Sequence, residues 1–269
     1  MPDTEYCGKF KYDPSYDPDK HLADHIKDVK AILNQQLACI DNIKQPTMQL
    51  ICMFALLDSL AQESCNYSKG SNAAFCDFVK KYQTRCKYIS RVEPISLYYH
   101  VEDLIDKVSP SLWLPPEKEI LLDYFSLSDI IPAEPIILSD KAQEILNYIE
   151  KKEGSDYRKK KEREHSFISL IYRMRSKAVH EMSGLGRPLG FEDHRAQTEP
   201  YYLDTDRIYV ANGNVVRDHV FELVIPNVFI RGILEDCITG YLEDCQSQHR
   251  HPFSNDGITR KCWLSWYDK

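Results

Sequence analysis

Glycine is scarce in this sequence, and long apolar runs are absent. Only 10 of the 269 residues are glycine, which disfavours β-sandwiches and barrels because those folds need many tight turns. The longest apolar stretch, 50–57, is far shorter than the roughly 20 residues that a membrane-spanning helix needs. The first 20 residues are polar and contain nothing typical of a signal peptide. The sequence therefore predicts a cytoplasmic protein that does not enter a membrane.

Paired cysteines and the common nucleotide-binding and hydrolase motifs are also missing. The nine cysteines form an odd number and no Cys-x-x-Cys pair occurs, so we expect free thiols in a reducing compartment. There is no P-loop, no Gly-x-Ser-x-Gly motif and no Rossmann glycine pattern. The function classes that depend on those motifs are therefore not predicted.

The C-terminal part contains four residues that could in principle bind zinc. They are Cys245, His249, His251 and Cys262. Their spacing matches no established zinc pattern. We therefore interpret them as incidental residues, and we expect neither a metal nor another cofactor.

The net charge is negative, but one segment is strongly basic. A net charge of −7 argues against a protein that coats nucleic acid without specificity. Between Arg158 and Lys177, however, eight cations stand against two carboxylates, a local charge of +6. A solvated helix start would explain such a run; alternatively, the run binds RNA. The candidate RNA-binding residues are Lys159, Lys160, Lys161, Arg163 and Lys177.

Apolar residues spaced three and four positions apart predict helices in the first third of the chain. One helix is expected at 21–44, and a second from Pro46 to about Glu63, since proline suits the first turn. The second helix is apolar nearly all round and should lie in the core. A third helix follows the break at 70–72, and its buried side should consist of Phe75, Phe78, Val79 and Tyr82.

The middle of the chain is less regular. We expect a helix at 95–108, loops and turns where prolines interrupt 109–134, and a helix from 141 to about 152 that Ser139 and Asp140 can cap. Gly154 ends that helix. The basic segment then begins a helix that continues to His180.

Beyond His180 the pattern predicts a loop, a hairpin and a last helix. The loop covers 183–200, and β-rich stretches between 201 and 223 flank Asn212-Gly213, a strong hairpin signal. Pro226 opens the last helix. The buried side of that helix should be formed by Val228, Ile230, Ile233, Leu234, Cys237, Ile238 and Tyr241.

These elements predict a mainly α protein with a small β-hairpin insertion. The hydrophobic content of 43% and the charged content of 28% are typical of a soluble globular chain. The simplest organisation is a flexible N-terminus at 1–20 and one helical domain at 21–246, with the hairpin at about 201–223. A C-terminal tail occupies 247–269.

The helix that ends near His180 carries the clearest chemical signal. At about 100° per residue, one stripe consists of Phe167, Ile171, Met174 and Ala178 and should be core. Arg173, Lys177 and His180 fall on the opposite side, and Arg175 lies on a flank. A guanidinium can hold a phosphodiester while an imidazole moves a proton near neutral pH. This combination points to RNA cleavage.

The stretch 166–181 resembles the signature helix of the HEPN superfamily, in which an arginine is followed by four to six residues and then a histidine. Segments 54–61 and 75–82, together with the closing hairpin and helix, resemble other elements of uncharacterised bacterial HEPN-like proteins, so the resemblance implies a HEPN-like helical bundle. The motif fits twice, because four residues separate Arg175 from His180 and six separate Arg173 from it. The resemblance favours Arg175 as the catalytic arginine with Arg173 in support, whereas simple helical geometry favours Arg173.

The resemblance implies a metal-independent endoribonuclease. The ribose 2′-hydroxyl would attack its own phosphate, with the imidazole in proton transfer and the guanidinium stabilising the developing charge. It also implies a homodimer in which two such helices form one composite cleft, and a setting of toxin or antiviral defence with a possible antitoxin or defence partner. RNA is the expected substrate.

Two further residues bear on that interpretation. Asp58 is the only acid in the apolar part of the second helix, and Arg175 is a candidate partner for a buried carboxylate; an exposed or tyrosine-bonded Asp58 is the alternative. Ser176 follows the arginine, where the family usually has Asn, Asp or His. With the acidic net charge, Ser176 favours a second hypothesis, a HEPN-like module that binds RNA, a nucleotide or a protein without cutting. A third hypothesis makes the helix a dimer interface only.

Overall fold

The computed structural model describes residues 18–65, 69–93, 96–97, 143, 146–147, 149–151, 153–181, 198–211 and 214–253. Within these ranges, residues 18–20, 179–181, 201–211 and 216–222 are described by their backbone alone. The described chain is mainly helical, as predicted. Its helices are α1 (Pro18–Asp41), α2 (Pro46–Ser64), α3 (Ser71–Tyr82), α4 (Ser155–Glu164), α5 (Phe167–Glu181) and α6 (Asn227–Ser247). Its strands are β1 (Tyr201–Ala211) and β2 (Asn214–Val224).

Helix α2 is the central core helix that its apolar sequence predicted. Pro46 occupies the first turn, and the side chain of Gln45 caps the helix by accepting a hydrogen bond from the amide of Met48. The helix contacts α1, α3, α5 and α6. Its buried apolar side chains are Leu50, Met53, Phe54, Leu57, Leu60 and Ala61. A helix that is in contact with neighbours on several sides needs apolar residues around most of its circumference.

Helices α3 and α6 confirm most of the predicted core positions. Phe75, Phe78, Val79 and Tyr82 are all buried, as are the predicted α6 residues from Ile230 to Tyr241. Val228 is the exception, since 48% of it is exposed. It lies on the side of α6 that carries Arg231 and Glu235, which form an ion pair of 2.9 Å. The prediction that Val228 belongs to the buried side was therefore wrong.

The basic segment and the Arg/His helix are two helices, not the single helix that was predicted. Helix α4 ends at Glu164 and α5 begins at Phe167, while Ser166 forms an antiparallel bridge with Val92. The amides of Phe167 and Ile168 donate to the carbonyls of Arg91 and Ile89 at 2.8 and 2.9 Å. The first amides of a helix have no partner within it, so these two carbonyls supply acceptors and stabilise a helix start at this point.

The two strands form the predicted hairpin between α5 and α6. They pair antiparallel in register from Tyr201 opposite Val224 to Ala211 opposite Asn214, which agrees with the predicted bounds of about 201–223. Asn212 and Gly213 themselves lie outside the described residues. So do 1–17, 254–269 and nearly all of the predicted helix at 95–108, the loops at 109–134 and the loop at 183–200.

The cysteines that the structure describes are free thiols, as predicted. Cys86, Cys237 and Cys245 are buried, whereas Cys39 is exposed. Burial raises the pKa of Cys86 to about 12 and that of Cys76 to about 11. No helix in the described part of the chain combines the length and the apolar character that crossing a bilayer would take.

Candidate functional site

An ion pair between Asp58 and Arg175 joins the central helix α2 to α5. Nη2 of Arg175 donates to Oδ2 of Asp58 at 2.5 Å. Only 12% of the Arg175 side chain and 18% of the Asp58 side chain are exposed. Arg175, the partner that the sequence suggested for Asp58, is therefore its partner in the structure.

Aromatic side chains cover this ion pair where α2, α3 and α5 meet. The guanidinium carbon of Arg175 lies 5.6 Å from the centre of the Tyr172 ring, and that ring is 5.5 Å from Phe75. Burial raises the pKa of Tyr172, with the Arg175 charge lowering it and Asp58 raising it to a smaller extent. Oδ1 of Asp58 is buried and accepts no hydrogen bond from the part of the chain that is described. The guanidinium therefore has a carboxylate and an aromatic ring as neighbours and little contact with solvent.

The sides of α5 agree with the predicted stripe. Phe167, Ile171 and Ala178 are buried, and 8% of Met174 is exposed. Arg173 is exposed, whereas Ser176 and Lys177 are half-buried. Position 180 belongs to the helical backbone of α5, but its side chain lies outside the described set. At about 100° per residue, position 180 falls within about 20° of position 173 and about 140° from position 175.

Arg173 reaches back toward the end of α4. Its Nη2 donates to the carbonyl of Glu164 at 2.9 Å and to Oγ of Ser96 at 3.4 Å. Arg173 and Arg175, the two arginines that fit the motif, therefore occupy different environments. Arg175 is held between helices, while Arg173 lies at the surface.

A buried polar cluster next to Arg173 was not predicted. Nδ1 of His165 lies 2.8 Å from Oγ of Ser96, and the amide of Ser96 donates to Oε2 of Glu93 at 2.6 Å. Glu93 and His165 are 1% and 5% exposed. In the sequence, Glu93 stands before Pro94. Because proline is common at the first position of a helix, this order predicts that Glu93 caps a helix. Nothing in the sequence placed His165 beside it, since the two residues are far apart along the chain.

Three of the candidate RNA-binding lysines lie close to carboxylates of α4. Lys161 forms an ion pair of 2.7 Å with Glu164, and only 8% of its side chain is exposed. Lys160 lies 3.9 Å from the same Glu164, and Lys159 lies 4.0 Å from Asp156. Among the candidate RNA-binding residues, Arg163 and Lys177 have no ion pair within the described chain, and Arg163 is the exposed one of the two. Their roles in RNA binding stay predictions.

Cys245 and His251, two of the four possible zinc ligands near the C-terminus, lie in different surroundings. Cys245 is fully buried in the core side of α6, whereas Nδ1 of His251 lies 3.0 Å from Nδ1 of His25 on α1. Cys262 is outside the described residues. Within the described ranges, no group of three or more His, Cys, Asp or Glu side chains is arranged to hold a metal ion.

No protein-family model, no curated protein and no solved structure is detectably similar to this chain.

Proposed function

We propose that this chain is a metal-independent endoribonuclease of HEPN type whose reacting groups lie on α5. The observation that carries the proposal is the ion pair between Arg175 and Asp58. Replacing a buried ion pair by apolar residues is often neutral or stabilising, so stability alone gives little reason to keep one in a core helix. A guanidinium fixed on the helix that bears His180 is consistent with a demand for exact positioning.

The two arginines divide the work in this proposal. Arg173 is exposed and shares a helical side with position 180, so it contacts the phosphate and stabilises the charge that develops there. Arg175 is a positioning residue, since it is paired with Asp58 and nearly buried. This assignment departs from the motif spacing, which favours Arg175 as the residue in contact with the substrate.

The reaction needs both a base and an acid. The 2′-oxygen of the ribose attacks the adjacent phosphorus as its proton passes to one imidazole, and the bond to the 5′-oxygen breaks as that oxygen takes a proton from a second. The products are a 2′,3′-cyclic phosphate and a 5′-hydroxyl. A homodimer that pairs two α5 helices supplies both imidazoles, each from His180 of one copy. We place the activity in the cytoplasm, in toxin or antiviral defence, with an antitoxin or defence partner as its control.

The test is cleavage of a fluorogenic RNA in the presence of EDTA. Positioned proton transfer contributes about 10²–10⁴-fold in rate, so His180→Ala should remove nearly all activity. His21→Ala is the matched control, because His21 is an exposed histidine of α1. No cleavage by the wild type, or equal cleavage by His180→Ala, would reject the nuclease.

A helical module that binds RNA, a nucleotide or a protein without cutting is the second candidate. It is favoured by the small exposure of Arg175 and by the pairing of the α4 cations with carboxylates. Fluorescence anisotropy of labelled RNA separates the two. Binding that survives His180→Ala, with no cleavage product from the wild type, would support the module.

A further inference from the structure

A cleft outside the Arg/His helix collects three positive side chains. It has a volume of about 540 Å³ and lies where the end of α3, the segment around 90–92 and the junction of α4 and α5 meet. Its walls include Lys80, Arg91 and Arg163. Volumes of about 300–1,000 Å³ are typical of sites for small molecules. The sequence alone does not show that these three cations lie together, because each comes from a different element.

The three cations have no ion-pair partner among the residues that the structure describes. All are exposed, and none of them forms an ion pair with a described residue. Among the described wall residues, Glu162 alone carries a carboxylate, and it accepts from Nε of Arg158 at 3.4 Å. Arg158 also bonds Gln143 on the same wall at 2.9 Å and pairs with Glu150. Glu162 shares Arg158 with Glu150, and the described wall still carries three cations against one acid, an excess of positive charge.

The walls that carry these cations are tied together by main-chain contacts. The bridge between Val92 and Ser166 joins the segment after Arg91 to the start of α5, and the amide of Phe167 donates to the carbonyl of Arg91 at 2.8 Å. On the opposite wall, the carbonyl of Arg163 accepts from Oγ of Ser166 at 3.0 Å. Both arginines thus extend from backbone that is fixed to the same helix start. A fixed backbone restricts where the two guanidinium groups can reach, which lowers the entropy that is lost when they bind an anion together.

We propose that this cleft binds a compact, multiply charged phosphate ligand, either a free polyphosphate or the polyphosphate group of a nucleotide. Guanidinium groups bind phosphate oxygens in pairs, and an ammonium adds a point charge. The described wall contains hydroxyls at Ser90 and Ser166 but no aromatic ring on which a base could stack. Recognition therefore depends on the phosphates. The cleft uses neither Arg173 nor His180, and it shares only Arg163 with the residues predicted to bind RNA.

Isothermal titration calorimetry of the full chain tests the proposal with tripolyphosphate, ATP and adenosine as probes. The wild type should bind tripolyphosphate, and its affinity should fall as salt is added. Each of Arg91→Gln and Arg163→Gln should weaken binding about 10-fold, and the double variant about 100-fold. Lys30→Gln is the matched control, because Lys30 is an exposed cation of α1 without an ion pair in the described chain. The three arginine variants should fold normally, since both side chains are exposed.

The outcomes are distinct. Equal affinity for tripolyphosphate and ATP supports the site with a free polyphosphate as its ligand, and tighter binding of ATP supports it with a nucleotide. Binding of adenosine alone, no binding of any probe, or an equal loss in Lys30→Gln would overturn the proposal. So would a ten-nucleotide RNA that binds through Arg91 and Arg163 when tripolyphosphate does not bind. None of these results depends on whether the chain cleaves RNA.

Discussion

Arg175 on α5 and Asp58 on α2 form an ion pair of 2.5 Å in which less than a fifth of either side chain is exposed. The pair joins the helix that bears the motif to the centre of the core. Removing one partner of such a pair leaves an uncompensated buried charge, whereas removing both leaves none. Single and double substitutions should therefore have very different consequences.

We predict that Asp58→Ala lowers the free energy of unfolding by about 3–5 kcal/mol. The double variant Asp58→Leu with Arg175→Met should instead lie within about 1–2 kcal/mol of the wild type, because it removes both buried charges. Urea denaturation followed by circular dichroism measures both. Asp77→Ala is the control, since its ion pair with Lys69 lies at the surface and should contribute little. A small effect of Asp58→Ala alone would show that the pair does not fix α5 against α2.

The proposed division between the two arginines predicts a separation of activity from stability. Arg173→Ala should reduce the rate of RNA cleavage about 10²–10³-fold. The free energy of unfolding should fall by only about 1–2 kcal/mol, because Arg173 is exposed and loses its hydrogen bonds to Glu164 and Ser96. Arg175→Ala should lower the rate and the stability together. The measurements are cleavage of the fluorogenic RNA and urea denaturation of the same preparations. An Arg173→Ala variant with full activity would assign substrate contact to Arg175 instead.

Stability should decrease as the pH falls below about 6.5, because His25 is partly buried and lies against His251. Burial lowers the pKa of His25, the neighbouring His251 lowers it further, and Asp28 partly opposes both. A histidine whose pKa is lower in the folded state takes up its proton more readily when the chain unfolds. The contribution of neutral His25 to the free energy of unfolding is therefore complete above the unfolded pKa of about 6.5. It is lost as the pH falls below that value. The difference in urea midpoint between pH 7.5 and pH 5.5 should shrink in His25→Gln and stay unchanged in His21→Gln.

Gly154 should be hard to replace. It ends the preceding helical segment and caps α4 with a φ of +90°, a conformation that side chains disfavour. Gly154→Ala should cost about 1–2 kcal/mol of unfolding free energy. Gly70→Ala is the matched control, because Gly70 also caps a helix, α3, but with a φ of −62°. At both glycines an added Cβ would have no atom within 4 Å, so the two variants differ in backbone conformation and not in crowding. Equal losses in the two variants would mean that the left-handed conformation does not matter at 154.

Local patterns predicted the elements better than their ends and junctions. Helix α2 and the hairpin follow directly from apolar periodicity and from the Asn212-Gly213 turn signal, because both depend on neighbours along the chain. The break before Phe167 was missed, since its acceptors are the carbonyls of Ile89 and Arg91, which no local pattern connects to it.

The candidate site was predictable to a similar extent. A lone acid in an apolar helix suggested a cationic partner, and Arg175 was one candidate, beside the alternative of an exposed or tyrosine-bonded Asp58. The cleft was not predictable, because Lys80, Arg91 and Arg163 are brought together only by the packing of three separate elements. Burial of Lys161 was also unexpected, since a run of cations alone gives no indication of which one folds inward.

The hydrogen bonds from the first amides of α5 to Ile89 and Arg91 have a consequence for how the chain assembles. They close a long loop, and its entropy must be lost before α5 has a stable first turn. We therefore expect α5 to order late in folding and to open as a unit with the 89–93 segment, so that amide hydrogens in both exchange with solvent together. A single opening event would then release the helix of Arg173 and Arg175 and separate the cations of the cleft at the same moment.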